Sequence, residues 1–156
     1  MEIVRARAEM IPAVSQLTLA CGLGKWSTED YLTELERKDS IFLAAIDGEN
    51  LIGFVVGRFV DLGSNVAPTV EIYNVAVDPA HRRKGSGSNL IKEFLQICDR
   101  ELVSEIWLEV RSANGSAIEM YRNLGFAAVG RRKAFYVDPE DDALLMVLRK
   151  SVQRFA

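Results

Sequence analysis

Apolar residues come in short alternating or periodic blocks along most of the chain, and the polar breaks between them mark out its elements. Residues 2–6 read as a short strand. Over 9–19, Ile11, Val14, Leu17 and Leu19 recur at roughly helical spacing, Pro12 is tolerated in a first turn, and Gly22 and Gly24 end the helix. Ser27 or Thr28 can cap a second helix, with Glu29, Asp30 and Glu34 favouring its N-terminal end and Tyr31, Leu32 and Leu35 forming an apolar side. Residues 41–46 and 51–60, rich in β-branched and aromatic side chains, predict a hairpin around Asp47-Gly48-Glu49-Asn50. After a loop over 61–68, a strand over 69–77 stops at Asp78-Pro79, because proline has no N–H for a continuing ladder. Leu90, Ile91, Phe94, Leu95, Cys98 and Leu102 define an amphipathic helix, and the apolar strand 105–110 follows, so strand, helix and strand form a crossover unit. A last helix from about Asn114 to Asn123 ends at Gly125, and two strands fall near 126–137 and 143–149.

Length and composition narrow the class. At 156 residues, 49% of them hydrophobic and 26% charged, the chain is expected to form one globular α/β domain over 1–156. A net charge of −3 provides no general field for nucleic acid or an anionic membrane, so any basic patch must be local. Cys21 and Cys98 have neither zinc nor redox spacing and read as buried reduced thiols; no metal is expected. The N-terminus lacks the basic-then-apolar order of a signal peptide and no apolar run is long enough for a span, which predicts a cytoplasmic protein.

The segment Arg82-Arg83-Lys84-Gly85-Ser86-Gly87 lies between a strand and a helix. Gly85 and Gly87 remove Cβ atoms where backbone could approach an anion, the helix start offers unpaired N–H groups, and three cations surround them. The same six residues also suit a solvated loop and helix start. Neither a Walker A loop nor a dinucleotide fingerprint is present, which leaves coenzyme A as the phosphate ligand to consider.

Arg82-x-x-Gly85-x-Gly87, preceded by Asn74-Val75-Ala76-Val77-Asp78-Pro79, resembles the signature of the GNAT acetyltransferases. Trp107-Leu108-Glu109-Val110-Arg111, Asn114, Ala117-Ile118 and Tyr121-x-x-Leu124-Gly125-Phe126 resemble one branch, the RimI-type ribosomal-protein-alanine N-acetyltransferases, related to the catalytic subunits of eukaryotic N-terminal acetyltransferases. Trp26-Ser27 and Arg131-Arg132-Lys133-x-x-Tyr136 extend the resemblance over nearly the whole chain. It implies a mixed, mostly antiparallel sheet flanked by about four helices and splayed between its fourth and fifth strands, with the acetyl-coenzyme A arm in the gap. It places the main chain of Val75, Ala76 and Val77 along that arm, Arg82, Arg83, Lys84, Gly85, Ser86, Gly87 and Ser88 around the pyrophosphate, and Asn114 against the cofactor. Ser88 departs from relatives that carry arginine there. The implied acceptor is the N-terminal amine of a protein, such as a small-subunit ribosomal protein; a small-molecule amine, a lysine side chain or a non-catalytic coenzyme A-binding role are the alternatives. The enzyme would act as a monomer or homodimer.

Transfer of an acetyl group from a thioester to an amine needs a base for the amine and an acid for the departing thiolate. Glu109 is a carboxylate inside an apolar strand, where desolvation is costly without a partner or a task, and the resemblance also places the base there; pairing with Arg111 is its bland explanation. Glu71 on the neighbouring strand is the rival base, and His81, the single histidine, reads as an ordinary loop residue. Tyr121 is the acid that the resemblance implies, with packing as the competing role, and Asn114 doubles as a helix N-cap. Among Trp26, Tyr31, Tyr73, Phe135 and Tyr136, the expected acceptor-side residues are Tyr136 and Tyr73. The acidic run at 138–142 reads as a solvated hairpin tip, with attraction of a cationic amine as its alternative.

Overall fold

The computed structural model describes residues 1–23, 25–60 and 67–150. Its elements follow the sequence pattern closely: β1 (Glu2–Arg5), α1 (Ile11–Ala20), α2 (Thr28–Leu35), β2 (Ser40–Asp47), β3 (Asn50–Val60), β4 (Thr69–Val77), α3 (Ser86–Arg100), β5 (Glu105–Arg111), α4 (Gly115–Asn123), β6 (Ala127–Val137) and β7 (Glu140–Arg149). Pro12 sits in the first turn of α1, and Ser27 caps α2 in a reciprocal capping box with Asp30. Gly24 and most of the loop expected over 61–68 lie outside the described residues.

The strands form one seven-stranded sheet in the order β1-β2-β3-β4-β5-β7-β6. Every neighbouring pair is antiparallel except β4 and β5, which the α3 crossover makes parallel. Two cores cover its two faces. Leu90, Ile91, Phe94 and Leu95 of α3, with Ile118 and Tyr121 of α4, pack on Val70, Ile72, Ile106, Leu108 and Val110. Ile11, Val14, Leu17 and Tyr31 of α1 and α2 pack on Phe42, Phe54, Val56 and Ala76 on the other.

Two local readings change. In α2 it is Tyr31 and Glu34 that are buried, while Leu32 is exposed, because Glu34 has an ion-pair partner inside and the apolar count alone cannot show one. Leu102 lies beyond α3 with φ 57° and is exposed; the Leu102 and Val103 amides close the helix on the Asp99 and Cys98 carbonyls.

The expected splay is present. β4 and β5 pair only from Thr69↔Glu105 to Ile72↔Leu108, and then diverge. At that point β4 carries a bulge: Gly57 faces Ile72 and Val56 faces Asn74, leaving Tyr73 as the extra residue. The inserted residue reverses which side chains face which core, so Ile72 joins the α3 side and Ala76 the α1–α2 side.

Candidate functional site

The opening between β4 and β5 presents backbone. The Asp78 amide donates to the Ile52 carbonyl of β3, so alternation turns the amides and carbonyls of Val75 and Val77 away from β3, toward the opening. These are obligatory hydrogen-bonding groups on a strand edge with no ladder partner. The Val77 carbonyl is used internally: Arg82 Nε donates to it at 3.0 Å, while Arg82 Nη2 lies 3.3 Å from Cys21 Sγ. The Arg82 side chain thus leans along the end of β4 while staying exposed, as Arg83 and Lys84 are.

Beyond β4, Gly85 has φ 81° and Arg83 has φ 63°, so the turn that delivers the chain to α3 alternates left-handed and ordinary backbone and aims its amides at one side. α3 then starts at Ser86 with no side-chain cap, leaving its first-turn N–H groups available to an anion. A Cβ at Gly87 would come within 3.3 Å of Met120 Sδ and 3.5 Å of Val77 Cγ2, so this glycine also lets α3, α4 and the end of β4 meet closely. Asn114 caps α4, its Oδ1 accepting from the Ala117 amide at 3.3 Å. Main chain, turn and helix start form a cradle that suits an extended thioester-bearing arm ending in a pyrophosphate.

The chemistry-bearing side chains lie across that opening from one another. Along β5, Ile106, Leu108 and Val110 face the α3–α4 core, which turns Glu109 to the opposite, α1–α2 face. Its Oε1 lies 3.5 Å from Arg132 Nη2, and its Oε2 is buried without a hydrogen-bond partner among the described residues. Arg111, expected as a possible partner, instead donates to the Pro139 and Asp138 carbonyls and stacks 4.2 Å over the Tyr136 ring. Tyr121 is buried beneath the sheet with its ring edge-on to Phe126 at 5.5 Å. Burial pushes its phenol well above the ordinary value, with the nearby Tyr136 adding to the shift. Tyr136 is raised as well, by burial and then by the Glu109 carboxylate.

Glu71 lies on the same face, and Tyr73 Oη donates to its Oε2 at 3.0 Å. Of the two carboxylates considered as base, Glu109 is the one with a buried oxygen that has no partner among the described residues. His81 sits apart, between Asp47 and Asp78 at 3.8 and 3.7 Å. Cys98 is buried and its thiol pushed up to about 12, while Cys21, expected to be buried, is only half-buried beside Arg82. The acidic run begins in the exposed tip of the β6–β7 hairpin, Asp138-Pro139, and continues into β7 from Glu140. Asp141 accepts from Ser112 and the Ala113 amide, and Asp142 from Arg131 and the Ala134 amide. Lys25 of the α1–α2 connection lies 5.3 Å from the Phe135 ring of β6. Residue types alone did not single out Arg132, Glu34 or Arg58; their partners are remote in sequence and meet them only in the fold.

Residues 11–126 match the acetyltransferase (GNAT) family, and the chain belongs to it. It is 30% identical over 145 residues to the N-alpha-acetyltransferase RimI of Mycobacterium tuberculosis, covering 92% of this chain and 87% of that protein. It is 37% identical over 79 residues to the ribosomal protein bS18-alanine N-acetyltransferase of Escherichia coli, covering 49% of this chain and 53% of that one. The crystal structure of the Escherichia coli ribosomal-protein-S18-alanine N-acetyltransferase superposes with a TM-score of 0.83 at 24% identity, covering 99% of this chain and 96% of that one. Two of the curated relatives are longer than their match: the aligned region spans 33% of one and 53% of the other.

Proposed function

We propose that this chain, as one domain, is an acetyl-coenzyme A-dependent N-acetyltransferase that acts on the N-terminal α-amine of a protein, with a ribosomal protein as the implied acceptor. The observation that carries the reading is the buried Oε2 of Glu109, without a partner among the described residues, at the mouth of the β4–β5 opening. An orphaned buried carboxylate oxygen is costly, and an incoming ammonium or a water bridging to it would satisfy it. The names of the relatives support the choice of an α-amine over other acceptors.

When bound, acetyl-coenzyme A supplies an activated acetyl thioester. Val75 and Val77 amides orient the arm, and the amides from Arg83 to Ser88, with the Arg83 and Lys84 cations, hold the pyrophosphate. Arg82 adds its charge beside them, its contacts with Val77 and Cys21 using two of its five N–H donors. Glu109 accepts the amine's proton, directly or through water, on the α1–α2 face. Tyr121, kept protonated by burial, donates at its hydroxyl from the other side. An α-amine has an ordinary pKa of about 7.7–8.0 against about 10.4 for lysine, so a carboxylate base suffices for the former.

The test is acetyl transfer to peptides with a free N-terminus, compared with the same peptides blocked there, with internal lysines, and with small polyamines. Transfer to the free N-terminus, lost on blocking, is expected. Transfer confined to lysine or polyamine overturns the acceptor assignment, and coenzyme A binding without turnover overturns the catalytic one.

A further inference from the structure

Glu34 is 1% exposed and is held by Arg58, which is 28% exposed. Arg58 Nε lies 2.9 and 3.1 Å from the two carboxylate oxygens and Nη2 also donates to Oε2, so the pair is bidentate and planar. The catalytic reading above leaves this pair without a role. Buried ion pairs add little net stability compared with apolar residues of similar volume, so stability alone is a weak reason for it.

The surroundings of the guanidinium suggest another. Its Cζ is 5.6 Å from the Trp26 ring and 5.1 Å from the Tyr73 ring. Trp26 belongs to the α1–α2 connection and also packs on Tyr31 at 5.2 Å. Tyr73 is the bulged residue at which β4 and β5 part, and it is 41% exposed. One cation therefore links two aromatic side chains from separate elements, and Glu34 fixes the cation. Besides the hydrogen bond from its hydroxyl to Glu71, a half-exposed ring on a bulge gains a second fixed contact from a stacked and anchored guanidinium.

We propose that Glu34 and Arg58 are positioning residues for the acceptor, holding Trp26 and Tyr73 beside the parting of β4 and β5, on the face to which Glu109 points. The proposal rests on the reading in which the amine enters from the α1–α2 face, where Glu109 points. It assigns these two residues to acceptor affinity and not to the transfer step, because neither faces the opening that holds the thioester.

Two variants separate this role from a structural one. Arg58→Lys keeps a charge for Glu34 but loses the planar fork and its stacking. Glu34→Leu/Arg58→Met replaces both by apolar side chains, so no buried polar group is stranded and the fold should be retained. In each, the acceptor KM should rise about tenfold, as expected from losing roughly one to two cation–π contacts. The acetyl-coenzyme A KM should not move, and kcat should stay within about threefold. In a Trp107→Phe background, where Trp26 is the sole fluorophore of its type, acrylamide quenching of Trp26 should increase in both variants. If the double variant recovers wild-type melting temperature and wild-type acceptor KM together, the pair is structural and the proposal is overturned. Unchanged Trp26 quenching in both variants overturns it whatever the acceptor. If the wild type acetylates no peptide α-amine, the N-terminal reading fails separately, and the same comparison on whichever amine is accepted, together with the quenching, decides the positioning role.

Discussion

Glu109 and Tyr121 occupy opposite faces of the β4–β5 opening, so their losses should differ in kind. Glu109→Gln keeps the side chain's size but removes the base. Transfer should fall by about 10²–10⁴-fold near neutral pH, most severely at low pH, and recover in part as the amine deprotonates unaided. Tyr121→Phe keeps the ring against Phe126 and removes only the donor, so its defect should persist across that range while coenzyme A affinity changes little. Rate–pH profiles of both on one free-N-terminus peptide check this; a near-normal Glu109→Gln together with an inactive Glu71→Gln would move the base to β4. Glu109 was legible as a charged residue in an apolar strand. Its true neighbour was not: Arg132 lies on a different strand, and only the β5–β7–β6 order brings the two within 3.5 Å.

At the scale of elements, the helix ends offer a matched test. α3 ends on Leu102 at φ 57° and α4 on Gly125 at φ 103°, each closed by amides returning to the last turn. Leu102→Gly relieves a left-handed conformation that costs an L-residue about 1–2 kcal/mol, less the added freedom of the unfolded chain, and should raise the melting temperature slightly. Gly125→Ala should lower it, since it adds that strain and puts a Cβ 3.0 Å from Leu148. The β6–β7 hairpin depends on Asp141 and Asp142, whose carboxyls are held below their ordinary values, Asp141 first by Ser112 and Asp142 first by the Ala134 amide. A depressed folded value gives stability that is present above the unfolded value of about 3.9 and is lost as pH falls through the folded one. Asp141→Asn should therefore destabilise at pH 7, and the difference from wild type should shrink as pH drops below about 4. Urea melts across that range measure both.

For the molecule as a whole, a strand edge that opens onto unpaired amides should be completed by its ligand. Acetyl-coenzyme A at about 100 times its dissociation constant should add roughly 2.7 kcal/mol of stability, seen as a rise in melting temperature. Hydrogen exchange should slow most at Val75, Val77 and the first turn of α3. Replacing Gly85 and Gly87 with valine should abolish that response by crowding the turn. Because a Cβ at Gly87 also presses on Met120 and Val77, the variant's own melting temperature should fall as well.

The order and type of the elements were settled by local physics that the sequence carries by itself. The apolar run over 105–110, three-to-four spacing over 90–98, Ser27 with Asp30 as a capping box, and Pro79 after β4 each act within a few residues. The cradle turn was legible for the same reason, since Gly85 and its cations are contiguous. What only the tertiary structure decided involves partners distant along the chain. Glu34 read only as a charge favouring the start of α2 until Arg58 of β3 reached it, and the contacts of Arg82 with Val77 and Cys21 tie the cradle turn to β4 and the end of α1. The bulge at Tyr73 and the parting of β4 from β5 likewise belong to no single strand: hydrogen-bond register is a property of pairs, and a pattern of apolar residues specifies faces but not where a ladder stops.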